Sequence, residues 1–159
     1  TREQASHFWQ EDRVSQLSFE LDDQTPESIA YATTRLIESS DVLDVMQQPI
    51  FGKKGRQGCS ITVLVKQGAE DAVIATCFTY TTTLGIRRDS VSRAILPRRE
   101  IVVPFEGHQY RVKVAKRPTG LSAKVEMDDL IAAKLSVINQ DRIRHEVERI
   151  AIQTSMDPD

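Results

Sequence analysis

The sequence predicts an α+β fold. From Leu17 to Leu21 apolar and polar side chains alternate with the period of a strand, and from Ile29 to Ile37 the apolar ones recur with the period of a helix. Both kinds of segment return further along the chain, separated by short runs rich in glycine, proline and charge. With 159 residues and 40% hydrophobic content the chain can bury a real core, as one domain or as a core with a small appendage.

Residues 1–13 are polar apart from Phe8-Trp9 and read as a linker or docking arm. Leu17, Phe19 and Leu21 then share one strand face, with Ser18, Glu20 and Asp22 on the other. Thr25-Pro26 reads as the N-cap and first residue of a helix, with Ile29, Ala32, Thr33, Leu36 and Ile37 as its apolar stripe to about Ser39. Residues 43–51 form a second strand, with Pro49 at its edge or end. A basic loop with three glycines, 52–58, leads into a β-branched strand over 59–66. Residues 68–80 form an alanine-containing helix, and 84–96 are extended. Strands over 101–105 and 109–116 make a hairpin around Glu106-Gly107-His108. From Asp128 the chain is helical, with a break near Asn139-Gln140 and Asp141 capping a second segment.

The order β-α-β-β-α-β is the ferredoxin-like split pattern. The expectation is therefore a linker or arm over 1–13, a ferredoxin-like α+β domain over 14–97, and a small subdomain of β-hairpin and C-terminal helices over 98–159. No apolar run is long enough to span a bilayer, and no signal peptide is visible. Two cysteines, Cys59 and Cys77, make no disulfide framework and read as buried thiols in a reducing compartment, so a cytoplasmic location is expected. The chain begins at Thr1 without methionine, which suggests a fragment or a processed chain. His7, His108 and His145 are scattered without zinc-ligand spacing.

The net charge of −2 is unevenly placed. Residues 1–48 carry 3 Lys/Arg against 10 Asp/Glu, residues 49–124 carry 14 against 5, and residues 125–159 carry 4 against 8. A basic middle between acidic flanks suits a polyanionic ligand with a metal beside it, or equally a charge-complementary fold. RNA on the sheet face fits less well, because aromatics for stacking are only 6% of the chain and the flanks are acidic.

Five stretches carry chemistry. Glu20, Asp22 and Asp23 stand where a strand turns into a helix; oxygen ligands of this kind suit a hard divalent ion, while Asp23 or Thr25 as a helix cap is the plainer alternative. Gly52-Lys53-Lys54-Gly55-Arg56-Gln57-Gly58 lacks the end of a Walker loop but offers three cations and a flexible backbone, or simply a solvated turn. Tyr80-Thr81-Thr82-Thr83-Leu84-Gly85-Ile86-Arg87 could line an anion site or end a helix with Gly85 in the left-handed conformation. Arg93, Arg98 and Arg99, then Arg111 and Lys113 on the face opposite Tyr110, Val112 and Val114, add cations. Lys124, Glu126 and Asp129 open the final helix, where acids are favoured by the helix dipole alone.

Taken in order, these motifs resemble the C-terminal domain of the nickel-insertion proteins (LarC). The resemblance rests on Leu21-Asp22-Asp23-Gln24-Thr25-Pro26-Glu27, Lys53-Lys54-Gly55-Arg56-Gln57-Gly58, Thr81-Thr82-Thr83-Leu84-Gly85-Ile86-Arg87, Arg93 with Leu96-Pro97-Arg98, and Val112-Lys113-Val114 with Lys124, Glu126 and Asp129. It implies a protein that uses CTP and Mn²⁺ or Mg²⁺ to insert Ni²⁺ into a pyridinium bisthiocarboxylate mononucleotide, giving the nickel-pincer nucleotide cofactor of lactate racemase. It implies that the nucleotide site lies in this domain, that CTP is cleaved, that an N-terminal domain of the same protein completes the machinery, and that the protein is a homo-oligomer. Asp22 and Asp23 would be the catalytic acids, with Glu20 and Glu126 as further metal ligands. Lys53, Lys54, Arg56, Gly58, Thr81, Thr82, Thr83, Arg87, Arg93, Arg98 and Lys124 would bind the nucleotide. Ser18 and Glu20 stand where the family commonly has an acid and an asparagine, Gln24 replaces a commoner methionine and Gln57 a commoner proline. The competing reading is a non-catalytic oligomerisation or regulatory nucleotide-binding module on the same fold. Neither nucleic acid nor membrane is an expected partner.

Overall fold

The structure is a computed structural model, and it describes residues 8–156. The described residues form seven strands, four α-helices and one short 3-10 helix (Lys53–Gly55), in two compact units: one spans Glu11–Arg93, the other is built mainly from Ala94 onward. The class is α+β, with two antiparallel sheets and C-terminal helices.

In the first unit β1 (Gln10–Leu21) runs into α1 (Pro26–Ile37), β2 (Val42–Phe51), β3 (Gln57–Lys66), α2 (Glu70–Tyr80) and β4 (Arg87–Ile95). The strands lie in the order β2-β3-β1-β4, the ferredoxin-like arrangement expected from the element order. Phe8 and Trp9 meet edge to face just before β1, and residues 10–13, expected in a linker or arm, are the first residues of that strand. Asp12 on β1 forks to Arg93 on β4 at 2.9 and 2.6 Å, so charge pairing carries the strand beyond its apolar stretch. The earlier residues of the expected arm, 1–7, lie outside the described residues.

Leu17, Phe19 and Leu21 are buried, and on β3 Val63 pairs with Leu17, Ile61 with Phe19 and Cys59 with Leu21, while the buried Val65 pairs with Ser15. The core is closed by Ile29 and Leu36 of α1 and by Val73 and Cys77 of α2. Thr25 caps α1 as expected, its hydroxyl accepting from the Ser28 N–H at 3.3 Å, with Pro26 as the first helical residue. Ile37, expected in the buried stripe, is 62% exposed, because it is the last helical residue and points off the core. Strand β2 is an edge, where Pro49 leaves no neighbouring strand short of a donor.

The second unit holds β5 (Arg98–Phe105), β6 (His108–Arg117), β7 (Gly120–Val125), α3 (Met127–Ala132) and α4 (Val137–Met156). The expected hairpin is therefore two strands of a three-stranded sheet in the order β5-β6-β7. Glu106 and Gly107 both take positive φ, 46° and 80°, which is the two-residue turn whose twist matches an antiparallel pair. Tyr110, Val112 and Val114 face a core completed by Val103, Val125, Leu130, Ile143, Val147 and Ala151. The helix break falls before Asn139: Lys134 turns at φ 52°, and Ser136 starts α4 by accepting from the Asn139 and Gln140 N–H groups. Asp141, expected as a cap, lies inside α4.

Candidate functional site

In the Glu11–Arg93 unit, three of the expected stretches meet at one end of the sheet. Strand β1 ends at Leu21, and the next residues turn immediately into α1 because Thr25 and Pro26 fix its start. That turn carries Asp22 and Asp23. Arg56, from the loop between β2 and β3, lies 3.6 Å from Asp22, and both side chains are half exposed. Thr82, just beyond α2, donates its hydroxyl to Asp23 Oδ1 at 2.5 Å.

Gln24 ties the corner together. Its Oε1 accepts from the Thr82 N–H at 3.1 Å, and its Nε2 lies 3.0 Å from the Tyr80 carbonyl and 2.9 Å from Ser28 Oγ. One amide thus links the acid turn, the first turn of α1 and the end of α2. Sequence reading registered Gln24 only as a departure from a family pattern; its place directly after two acids was the available signal.

The basic loop is held by its own backbone. The Gly52 N–H donates to the Arg56 carbonyl at 2.8 Å, and Lys54 and Gly55 take φ of 59° and 68°. Lys53 and Lys54 are exposed and have no ion-pair partner among the described residues. Gly58 is required by a close approach: a Cβ there would sit 2.7 Å from the Leu21 carbonyl oxygen, between β3 and the end of β1. A cavity of about 370 Å³ opens at this corner, floored by Leu21 and Ile29 and rimmed by Asp22, Gln47, Gly58 and Cys59.

Other expected residues are committed to different partners. Glu20 and Arg87 form a two-pronged ion pair across β1 and β4, at 2.8 and 2.5 Å. The hydrogen bonds from Arg87 hold the Glu20 carboxyl below the ordinary range, against the opposing effect of burial. Arg93 is held by Asp12. Thr81 donates to the Cys77 carbonyl at 2.8 Å and ends α2, and Thr83 donates to the Gly85 carbonyl at 2.9 Å. Only Thr82 of the three turns its hydroxyl to an acid, and Gly85 is not in the left-handed region.

The remaining expected residues lie in the second unit. Arg98 is exposed on β5, Lys124 lies opposite Lys113 on the β6–β7 pair, and Glu126 precedes α3 and is ion-paired with Lys113. Arg111 is clamped by Asp129, with bonds of 2.8 and 3.1 Å from the guanidinium and 2.7 Å from its backbone N–H.

Among the described residues no group of three or more His, Cys, Asp or Glu is arranged to hold a metal ion. The oxygen donors of Asp22 and Asp23, with the Thr82 hydroxyl beside them, fit a hard divalent ion that brings phosphate and water ligands of its own. They do not make a closed protein cage. Cys77 is buried and its thiol is pushed up to about 11 by burial, so it stays protonated and inert at neutral pH.

This geometry defines a class first: an α+β protein with an acid turn and a basic loop at one end of a 2-3-1-4 sheet, followed by a second small sheet backed by helices. LarC2, the C-terminal domain of a cyclometallase involved in the synthesis of the NPN cofactor of lactate racemase, in its apo form, has the same architecture. It matches with a TM-score of 0.68 and 26% identity, over 92% of this chain and 96% of that one. The chain belongs to the nickel insertion protein family, whose model matches residues 2–143. The pyridinium-3,5-bisthiocarboxylic acid mononucleotide nickel insertion protein of Acetivibrio thermocellus is 37% identical over 103 residues, which is 65% of this chain and 25% of that protein. A putative nickel insertion protein of Synechococcus elongatus is 31% identical over 141 residues, 88% of this chain and 34% of that protein. A Methanopyrus kandleri protein at 23% identity and TM-score 0.62 shares the fold. The chain thus spans 25% and 34% of the length of these two curated relatives. No helix among the described residues is long and apolar enough to cross a membrane.

Proposed function

We propose that this chain is the CTP- and divalent-metal-binding part of a nickel insertase, acting in the cytoplasm as a homo-oligomer. Its whole-protein reaction would be CTP-dependent insertion of Ni²⁺ into pyridinium-3,5-bisthiocarboxylic acid mononucleotide to give the nickel-pincer nucleotide. The supporting observation is the corner where Asp22 and Asp23 meet Arg56 and Thr82, with Lys53 and Lys54 exposed on the same loop. The family membership and the name carried by its A. thermocellus relative supply the substrate.

In this reading Asp22 and Asp23 hold the Mn²⁺ or Mg²⁺ that accompanies CTP, and that ion supplies charge neutralisation on the phosphates. Lys53, Lys54 and Arg56 neutralise phosphate oxygens, and the backbone at Gly58 allows close approach. Thr82 orients Asp23, and Gln24 fixes Thr82. Thr81 and Thr83 contribute backbone groups, since their hydroxyls are already used. Arg87 and Arg93 join only by exchanging Glu20 and Asp12 for phosphate oxygen, which in turn frees Glu20 for the ion. Arg98, Lys124 and Glu126 are assigned to nucleotide and metal on the strength of the resemblance.

A second reading, a self-associating regulatory module, is favoured by one feature. Leu43, Met46 and Phe51 are 42%, 39% and 79% exposed along edge strand β2, whose outer backbone edge pairs with no strand among the described residues. Calorimetric titration with CTP, with Mn²⁺ present and then removed and ATP as control, separates the two. Tight metal-dependent binding selective for CTP is expected. A folded, oligomeric chain that binds neither nucleotide would overturn the insertase reading in favour of the module.

A further inference from the structure

The end of the first sheet where β1 finishes carries more than the nucleotide corner. Leu21 pairs with Cys59, Phe51 pairs with Gln57, and Glu20 forks to Arg87. The segments beyond β1, between β2 and β3, and before β4 therefore all project past the same end. In the strand order β2-β3-β1-β4 they follow one another across the sheet. Phe51 comes first, 79% exposed, then the basic loop with Lys53 and Lys54. The acid turn with Asp22 and Asp23 follows, and last comes Leu84, 99% exposed, in the loop after α2.

Taken one at a time, exposed apolar side chains and solvated lysines are ordinary surface features. Their order is not. The end reads apolar, basic, acidic, apolar. A copy turned about a two-fold axis normal to the sheet presents the same end in reverse, so each basic loop meets an acid turn and each Phe51 meets a Leu84. A two-fold axis running across the sheet would instead set lysine against lysine. Within one chain these charges do not satisfy each other: Arg56 stands 3.6 Å from Asp22, while Lys53 and Lys54 pair with no acid among the described residues. The loop is also fixed in shape. The Gly52 N–H donates to the Arg56 carbonyl at 2.8 Å, and Lys54 is held at φ 59°, a conformation unfavourable for a residue with a Cβ.

We propose that this end is an isologous interface between two copies of the chain, in which each copy lends Lys53 and Lys54 to the acid turn of the other. Phe51 and Leu84 are its apolar anchors, and the lysine–aspartate contacts set its orientation. The further role of the lysines rests on the nucleotide reading of the corner. A phosphate held with its divalent ion at Asp22 and Asp23 would be neutralised by Arg56 of the same copy and by the partner's Lys53 and Lys54, between the two copies.

Analytical ultracentrifugation of the 159-residue chain tests the interface without any ligand. Wild type is expected to sediment as a dimer or a larger even-numbered assembly. Lys53→Glu with Lys54→Glu sets acid against acid and should weaken association by about tenfold or more, as should Asp22→Lys with Asp23→Lys. An equimolar mixture of these two variants restores both opposite-charge contacts and should associate to within about threefold of wild type. Leu84→Asp, at an almost fully exposed position outside the core, should weaken association with the fold intact. Calorimetry with CTP and Mn²⁺ then reads the lysines. Lys53→Glu with Lys54→Glu, mixed with Asp22→Asn with Asp23→Asn, should regain wild-type affinity at about one site per four chains, because about one pairing in four joins an intact turn to an intact loop. A monomeric wild type overturns the inference. So does a charge-swapped mixture that stays apart, or a complementary mixture that regains no CTP binding while wild type binds it. If wild type binds no CTP, the insertase reading falls and the charge-swapped mixture alone decides the interface.

Discussion

The two units treat their charges differently. In the residues from Ala94 onward, cations and acids meet in close forks that join neighbouring elements: Arg111 with Asp129, Lys113 with Glu126, Arg142 with Glu106. In Glu11–Arg93, forks at Asp12 with Arg93 and Glu20 with Arg87 serve the same end between strands. At the end of β1, however, the pairing is slack: Arg56 stands 3.6 Å from Asp22, and Lys53 and Lys54 face solvent. A charge matched in a tight fork holds structure. A charge matched loosely can be handed to a ligand at small cost, because an exposed ion pair is worth only about 0–1 kcal/mol.

The comparison can be broken at several points. The largest effect is expected from Phe19→Ala, which empties the centre of the first core; Phe19 is fully buried, so urea unfolding should show a loss of about 3–5 kcal/mol. Asp22→Asn with Asp23→Asn should leave the fold intact and cut Mn²⁺-dependent CTP affinity at least about tenfold, roughly 1.4 kcal/mol per decade. Asp129→Asn, the matched acid of the other unit, should lower the melting temperature and leave CTP binding alone. If both changes act alike on binding, the distinction between slack and tight pairing is wrong.

Gly58→Ala should cost about 1–3 kcal/mol, since the new Cβ meets the Leu21 carbonyl at 2.7 Å and β3 must shift beside the acid turn. Circular dichroism melts and CTP titration together would read the shift and its effect on the corner. Tyr110→Phe should go the other way. The Tyr110 hydroxyl is buried without a partner, so its removal is expected to stabilise the chain by about 1 kcal/mol, and a marked loss would mean that the hydroxyl finds a partner in solution.

The smallest effect is a pH slope. Arg142 hydrogen-bonded to Glu106, and Arg111 hydrogen-bonded to Asp129, hold both carboxyls below their ordinary range. A depressed carboxylate stabilises the fold above its unfolded pKa of about 4, and that contribution disappears as pH falls through the lower folded value. Melting temperatures should therefore drop on acidification below about pH 4, and less steeply in Arg142→Gln. An unchanged acid limb in that variant would show that the fork contributes nothing in solution.

Much of the fold was legible because periodicity and burial coincide. Leu17, Phe19 and Leu21 alternate and are buried, and Thr25-Pro26 starts a helix in sequence and in structure. Strand β7 escaped notice for a physical reason: Gly-Leu-Ser-Ala-Lys-Val has one small and two medium side chains on its buried face, too weak an alternation to stand out. The helix break was misplaced because Asn139-Gln140 looks like a breaker, while the turn is made by Lys134 in a left-handed conformation that its sequence does not advertise. At the acid turn the residue types were readable, but their partners were not. That Glu20 belongs to Arg87 and Asp23 to Thr82 depends on which strand lies beside β1, and sequence-local reasoning does not reach it.

The 2-3-1-4 order has a consequence in time. Strand β1 leaves the ribosome before the other strands of its sheet, yet its neighbours are β3 and β4: Val14 pairs with Lys66, and Leu21 with Cys59. It must wait, apolar face exposed, through the synthesis of a helix and two strands. The second sheet has no such delay, since β5, β6 and β7 pair in the order in which they are made. Local pairing is fast and distant pairing slow. The later half of the chain is thus the quicker to close, and the interval before β3 arrives is when the nascent chain is most exposed to aggregation and most in need of a chaperone.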